Sequence, residues 1–248
     1  MKIIGDIGNT EIKIFIFLSN DKILKKIFIK TNQVSNSLLS KKLNFLIQNK
    51  KKIRKAVFCS VVPTAYKKLK LFLKKNIAIN IIELKQINLI NLIKIKVDKK
   101  QVGSDRLANA IGVIDNKNNY IILDFGTATT FDIIFKKNYL GGIISPGVDL
   151  SLKSLSSKAS LIPNIKLLKV SKVIGKNTKS AVRSGFYWGY AGLIDNIIKL
   201  IIKQTGKSFK IIFTGGLAHL FKDSISSKVK VNRDLTINGV LRASKNLK

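Results

Sequence analysis

Two short stretches of the chain combine aspartate, glycine and threonine between apolar segments. DIGNT occupies Asp6–Thr10, and DFGTATT occupies Asp124–Thr130. Glycine lets a turn approach a ligand closely, successive backbone N–H groups can hold anionic oxygens, and threonine hydroxyls add donors. An aspartate beside a phosphate group can hold the cation that offsets its charge. Both stretches are candidate phosphate-binding turns, although a plain hairpin whose turn is satisfied by Asp and Thr has the same composition.

A third polar stretch, QVGSDRLANAIG, covers Gln101–Gly112. It places Asp105 at the predicted start of a helix, directly before Arg106. A helix cap beside a surface charge explains this pattern without any chemistry. The alternative is a general base that takes the proton of a substrate hydroxyl as that hydroxyl attacks phosphorus, while the arginine orients an anionic group of the acceptor.

The flanking residues predict the elements that carry these stretches. Runs of branched and aromatic residues predict strands at Lys2–Gly5, Glu11–Leu18, Ala56–Val62, Tyr120–Asp124, Thr130–Phe135 and Lys210–Phe213. Helices are predicted at Arg106–Ile114 and Gly185–Lys203, and helical character is predicted for the lysine-rich segment that ends near Lys55.

The two Asp-Gly-Thr stretches share the order strand, Asp-x-Gly, Thr, strand, and they lie close to half a chain apart. This echo suggests two copies of one α/β unit, each with a hairpin whose turn carries Asp and Gly. Few prolines and no Gly/Ser-rich tract interrupt the chain, so a short connection near residue 115 is the expected boundary.

Composition narrows the class of protein. The 248 residues include 46 Lys+Arg against 13 Asp+Glu, for a formal net charge of +33. The basic residues are mostly lysines scattered through every segment, which favours a lysine-rich surface over a dedicated nucleic-acid site. A single cysteine, no secretory pattern and no long uncharged apolar window predict a cytoplasmic protein without a membrane span.

Glycines in SGFYWGYAGLID lie on one face of the predicted long helix, at Gly185, Gly189 and Gly192. This face permits a close helix–helix contact, which could join two subunits. Three isolated residues with chemical potential, His219, Trp188 and Cys59, have no partner nearby in sequence and are interpreted as packing or incidental residues.

Taken together, the motifs resemble one family, the type III pantothenate kinases. The resemblance runs in order through DIGNTEIK, SVVP, GSDR, LDFGTATT, GGIISPGVDLSLKSLSSKASLIP, IGKNTKSAVRSGFYWGYAGLID, FTGGLA and LTINGV. It implies an α/β protein of the actin-like ATPase superfamily, with two ribonuclease-H-like domains and the active site in the cleft between them. The domains would cover residues 1–115 and 116–248. The implied activity is phosphorylation of pantothenate by ATP to 4′-phosphopantothenate, the first step of coenzyme A synthesis.

The resemblance also implies roles for individual residues. The first ATP phosphate loop would consist of Asp6, Ile7, Gly8, Asn9, Thr10, Glu11, Ile12 and Lys13. Thr127 would also contact ATP, Asp124 would bind a monovalent cation (K⁺ or NH₄⁺), and Asp6 would orient the water shell of Mg²⁺. Gly103, Ser104, Asp105 and Arg106 would line the pantothenate pocket, with Asp105 as the catalytic base. Thr178 would reach pantothenate from the neighbouring subunit of a homodimer with shared sites.

The chain departs from the family pattern in one segment, and three other functions are alternatives to this interpretation. Family members commonly carry a Tyr and a Pro shortly before G-x-D-R, where this chain has IKVDKKQV at Ile95–Val102. Rival functions are another small-molecule kinase of the same fold, a non-catalytic regulatory protein, and a nucleic-acid-binding protein that uses the positive charge. The last would bind tightly and lose affinity steeply with salt.

Overall fold

The chain opens with three antiparallel strands, β1 (Lys2–Ile7), β2 (Glu11–Phe17) and β3 (Ile23–Lys30). The structure is a computed structural model that describes residues 1–247. Two parallel strands, β4 (Lys55–Ser60) and β5 (Ile81–Glu83), extend the sheet beyond β1, which gives the order β3-β2-β1-β4-β5. A short strand, β6 (Lys94–Ile95), follows in the chain.

Strand β3 departs from the sequence prediction, which assigned helical character to this lysine-rich segment. Its burial alternates only at its end, where Ile27 and Ile29 enter the core, while its lysines remain exposed. Pairing with β2 makes this segment a strand. The lysines are compatible with that conformation, because charged side chains are common on the outer strand of a sheet.

Three helices belong to the first part of the chain: α1 (Asn36–Gln48), α2 (Pro63–Ile77) and α3 (Ser104–Val113). Pro63 is the first residue of α2. The backbone N–H at this position has no partner within the helix, so the missing N–H of proline costs no hydrogen bond. The leucines and other apolar residues of α1 and α2 recur at helical spacing and pack on one face of the sheet with the isoleucines of β1 and β2. This burial supplies the core that holds β1 and β4 in place.

The second compact unit, residues 115–233, repeats this plan. Its strands are β7 (Asn119–Phe125), β8 (Ala128–Phe135), β9 (Asn138–Pro146), β10 (Lys210–Gly215) and β11 (Val229–Val231), and its helices are α4 (Val148–Lys158), α5 (Thr178–Thr205) and α6 (Ala218–Phe221). Within this unit the strands follow the order β9-β8-β7-β10-β11, with the same parallel and antiparallel pairings as in the first sheet. The internal repeat suggested by the two Asp-Gly-Thr stretches is therefore confirmed.

Helix α7 (Leu235–Ser244) returns the chain to the first unit, which comprises residues 1–114 and 234 onward. It packs on α3, β1 and β4. The Arg242 guanidinium donates to the carbonyl oxygens of Ile111 and Ile114 at 3.1 and 2.6 Å, which satisfies the end of α3. The predicted division into 1–115 and 116–248 places this helix with the second unit, so the structure differs from it at the C-terminus.

In residues 1–247, none of the helices is both long and apolar enough to cross a membrane. Even the 28-residue α5 carries charged residues along its length.

Candidate active site

The first phosphate-loop candidate is the turn between β1 and β2. The N–H of Gly8 donates to the carbonyl of Glu11 at 3.1 Å, and the Thr31 hydroxyl donates to the Gly8 carbonyl at 2.7 Å. A further bond from the Thr31 N–H to the Thr10 carbonyl fixes the other side of the turn at 3.0 Å. These bonds leave the side chains of Asn9 and Thr10 exposed on a turn of defined shape.

The eight residues predicted for this loop do not all present side chains to a ligand. Ile7 and Ile12 are fully buried in the core, so only their backbone groups could reach a nucleotide. Glu11 and Lys13 are half-buried on β2, and Lys13 pairs in register with Asp6. Asp6, near the end of β1, is only 8% exposed.

A buried thiol lies against that carboxylate. The Sγ atom of Cys59, in β4, donates to Asp6 Oδ1 at 3.4 Å, and the two residues pair in parallel register. Burial raises the pKa of the Cys59 thiol well above its usual value, and the negative charges of Asp6, Asp105 and Glu83 raise it further. The structure thus brings Asp6 and Asp105 to the same region of the first unit, around Cys59.

The G-x-D-R stretch forms the start of α3. A Cβ atom on Gly103 would lie 2.5 Å from Asp105 Oδ1, so a larger residue there would force the Asp105 side chain to move. That oxygen accepts a hydrogen bond from the Arg106 N–H at 2.7 Å. Burial raises the pKa of Asp105 above its ordinary value, although the hydrogen bond and charge of Arg106 act in the opposite direction. A carboxylate whose pKa is raised in this way accepts a proton more readily than an exposed aspartate does.

Helix α3 is tied to the end of β5. The buried Ser104 hydroxyl donates to the carboxylate of Glu83. The second Glu83 oxygen accepts from the Lys85 N–H at 2.6 Å, and the Gln86 side chain accepts from the Glu83 N–H at 3.0 Å in a capping box. No motif pointed to Glu83, because its bond to Ser104 spans 21 residues of sequence.

The second hairpin, between β7 and β8, presents Asp124 and Thr127. Asp124 is half-buried and pairs in register with Thr130 of β8 and Thr214 of β10, as Asp6 pairs with Lys13 and Cys59 in the first sheet. Gly215 has φ +86, and a Cβ atom there would lie 2.6 Å from Asp124 Oδ1. Glycine therefore allows the backbone to approach the carboxylate closely.

Not all threonine hydroxyls in this hairpin make a hydrogen bond within the described residues. Thr127 is exposed at the turn, and its carbonyl accepts from the Gly147 N–H at 3.1 Å. The hydroxyl oxygens of Thr129 and Thr130 are buried and make no hydrogen bond within the described residues. Buried hydroxyls normally have partners. Thr130 lies across the strand pair from Asp124, so its hydroxyl is a buried polar group without a partner among residues 1–247, opposite that carboxylate.

The remaining predicted site residue, Thr178, is exposed at the first turn of α5. Its helix is capped by Asn177, whose side chain accepts from the Ser180 N–H at 2.9 Å in a second capping box. Further along, Gly185, Gly189 and Gly192 are exposed, and a Cβ atom added at any of them would meet nothing within 4 Å. This smooth glycine face is open to a partner helix.

Among residues 1–247, no group of three or more His, Cys, Asp or Glu side chains is placed to hold a metal ion. Single carboxylates at Asp6 and Asp124 are nevertheless suited to cations that take their other ligands from phosphate oxygens and water, as Mg²⁺ does at nucleotide sites.

Similarity to known proteins agrees with this geometry. The type III pantothenate kinase family profile matches residues 2–200. The type III pantothenate kinase of Pelagibacter ubique is 57% identical and covers 98% of each chain. The corresponding enzyme of Ehrlichia canis is 36% identical and covers 97% of this chain and 94% of its own.

A solved structure from Sinorhizobium meliloti, named as a 2-dehydro-3-deoxygalactonokinase, has a TM-score of 0.65 over 99% of this chain and 98% of its own. Its 10% identity makes this a likeness of fold alone. The repeated sheet order, with an aspartate hairpin at the same place in each copy, defines the fold class that the chain shares with this structure, the two-domain actin-like ATPase fold.

Within that class, the chain belongs to the type III pantothenate kinase family. It is an ATP-dependent kinase that phosphorylates pantothenate in the first step of coenzyme A synthesis. The predicted fold class, activity and substrate are thereby confirmed.

Proposed function

We propose that Asp105 is the base in a direct in-line transfer of the ATP γ-phosphoryl group to the primary hydroxyl of pantothenate. The observation that carries this assignment is the position of the half-buried Asp105 carboxylate, which lies in the same region as Asp6. Burial raises the pKa of this carboxylate. The carboxylate takes the hydroxyl proton as the oxygen attacks phosphorus, and the product is 4′-phosphopantothenate. A positioned base of this kind contributes about 10²–10⁴-fold in rate.

Pantothenate is held by the start of α3 in this proposal. Arg106 pairs with the pantothenate carboxylate, because a guanidinium matches a carboxylate in geometry and charge. Gly103 and Ser104 contribute backbone groups, since the Ser104 hydroxyl is already bonded to Glu83. Thr178 completes the pocket from a second subunit. Because this chain lacks the Tyr and Pro that commonly precede the motif, the Ile95–Val102 segment shapes the pocket differently.

ATP is bound by the two hairpin turns. The turn at Asp6–Lys13 offers backbone N–H groups with the exposed Asn9 and Thr10 side chains, and Thr127 offers a hydroxyl on the other hairpin. Phosphate oxygens are the natural ligands of such turns.

Mg²⁺ is held through water by Asp6, which fits the nearly buried single carboxylate found there. When bound, the ion offsets the negative charge of the phosphates. K⁺ or NH₄⁺ is held by Asp124, and the unbonded Thr130 hydroxyl is a suitable additional oxygen ligand. The orphaned hydroxyl is the observation that supports a cation at this hairpin.

The working form is a homodimer that joins through the exposed glycine face of α5. A subunit contact along this helix would bring Thr178 into a neighbouring site. The scattered lysines serve no specific nucleic acid, and the use of ATP together with a single buried thiol favours the cytoplasm.

Mass spectrometry of the reaction tests the proposal. Purified protein is incubated with ATP, Mg²⁺, K⁺ and pantothenate, and each component is omitted in turn. We expect 4′-phosphopantothenate only in the complete mixture, with a strong loss when Na⁺ replaces K⁺. Full activity without Mg²⁺, or indifference to the K⁺/Na⁺ exchange, would contradict the cation assignments.

A further inference from the structure

The chain's single cysteine lies directly beside the carboxylate assigned to the Mg²⁺–nucleotide complex. Cys59 is fully buried in β4, with Sγ 3.4 Å from Asp6 Oδ1 and 3.8 Å from the Gly5 carbonyl oxygen. The thiol hydrogen can satisfy only one of these acceptors at a time. The shorter contact, to a charged oxygen, is the stronger one.

The second sheet has a matching arrangement. Thr214, only 2% exposed in β10, pairs in register with Asp124 as Cys59 pairs with Asp6. In both copies a small side chain with one donor hydrogen lies next to the hairpin aspartate on the adjacent parallel strand. An alanine at either place would fill the core but could not donate a hydrogen bond.

The position of the Cys59 thiol affects the orientation of the Asp6 carboxylate. A carboxylate that orients water molecules around a cation must keep one rotamer, since a small displacement weakens each hydrogen bond it makes. A buried donor on the neighbouring strand fixes the carboxylate at one of its oxygens. Because Cys59 lies in β4, between β1 and β5 in the sheet, this restraint comes from a paired strand and not from a loop.

We propose that Cys59 is a positioning residue whose thiol holds the Asp6 carboxylate in the orientation that binds the Mg²⁺–nucleotide complex. This inference rests on the proposed role of Asp6. The sequence-based interpretation treated Cys59 as a packing or incidental residue.

Calorimetry of ADP binding, in Mg²⁺ and in EDTA, distinguishes a positioning role of Cys59 from a packing role. We expect Cys59→Ala to weaken Mg²⁺–ADP binding about three- to tenfold, the range for loss of one hydrogen bond. Binding of ADP in EDTA should be unchanged, because Asp6 then has no cation to orient. Cys59→Ser retains a donor and should stay within about twofold of the wild type in Mg²⁺.

Val57→Ala is the matched control for core damage. Val57 is equally buried and lies two residues earlier in β4, opposite Ile4 instead of Asp6. It should lower the melting temperature at least as much as Cys59→Ala while leaving Mg²⁺–ADP affinity unchanged. Equal loss of affinity in both variants, or unchanged affinity in Cys59→Ala, would overturn the proposal and leave Cys59 a packing residue.

Infrared spectroscopy gives a readout that is independent of binding and activity. The S–H stretching band falls where other protein groups do not absorb, and a single cysteine makes it report on Cys59 alone. We expect the band to move to higher frequency in Asp6→Asn, because a neutral acceptor replaces a charged one. An unmoved band would mean that the thiol bonds to Gly5, contrary to the proposal. If the wild type makes no phosphopantothenate but the band responds, the proposed reaction fails while the Cys59–Asp6 contact stands.

Discussion

The side-chain hydroxyl of Ser104 donates a hydrogen bond to the carboxylate of Glu83. Ser104 is the first residue of α3, and the next two residues are the proposed base and the proposed pantothenate-binding arginine. Glu83 ends β5 and is itself held by a capping box with Gln86. The bond therefore joins the helix that carries Asp105 to the edge of the first sheet.

Replacing Glu83 should disturb both stability and catalysis. We expect Glu83→Ala to lower the free energy of unfolding by about 1–3 kcal/mol, because the buried Ser104 hydroxyl loses a charged acceptor. The kcat should also fall, since the start of α3 is no longer fixed. Urea unfolding and steady-state kinetics measure the two effects. Gln86→Ala is the control, because it removes the capping partner but keeps the bond to Ser104; a similar loss of kcat there would contradict the assigned role.

The pH dependence of kcat/KM for pantothenate should reflect Asp105. The base acts only when ionised, and burial raises its pKa above the ordinary value of 3.8. Activity should therefore fall as the pH drops through this raised pKa, at a higher pH than an exposed aspartate would give. ADP binding over the same range controls for unfolding. Constant kcat/KM down to the ordinary aspartate range, with binding intact, would argue against Asp105 as the base.

The orphaned hydroxyl beside Asp124 leads to a prediction about the monovalent cation. Thr130→Val keeps the side-chain shape but removes the oxygen, so we expect the K⁺ concentration for half-maximal activity to rise about three- to tenfold. Thr129→Val is the matched control, because Thr129 pairs with Phe125 instead of Asp124. K⁺ titrations of the initial rate compare the two. An equal effect of both substitutions would point to general damage to β8.

The glycine face of α5 allows a clean test of the dimer. A Cβ atom added at Gly189 would meet nothing within 4 Å, so we expect Gly189→Leu to fold normally. It should nevertheless shift the protein towards monomer in sedimentation velocity and reduce activity, because Thr178 would no longer reach a neighbouring site. Lys42→Leu, on the exposed side of α1, controls for an added surface leucine. A dimer that survives Gly189→Leu would place the subunit contact elsewhere.

The sequence was most informative where local chemistry determines structure. The Asp-Gly-Thr turns, the start of α3 and the long α5 helix depend on glycine, capping residues and apolar periodicity, all of which can be read along the chain. The internal repeat could be predicted for the same reason, since both hairpins carry the same residues.

Contacts between residues that are far apart in the sequence could not be predicted. The lysine-rich β3 is a strand because it pairs with β2, and α7 joins the first unit because it packs on α3, over a hundred residues earlier. Glu83 and Cys59 show no motif, and their importance depends on contacts with Ser104 and Asp6 that only the folded chain creates.

The most direct test of the central claim is the turnover of Asp105→Asn beside its affinity for ATP. Asparagine has nearly the same shape as aspartate but cannot take a proton from the pantothenate hydroxyl. We predict a loss of kcat of about 10²–10⁴-fold, with a dissociation constant for ATP close to that of the wild type. Wild-type turnover in this variant would contradict the assignment of Asp105 as the base.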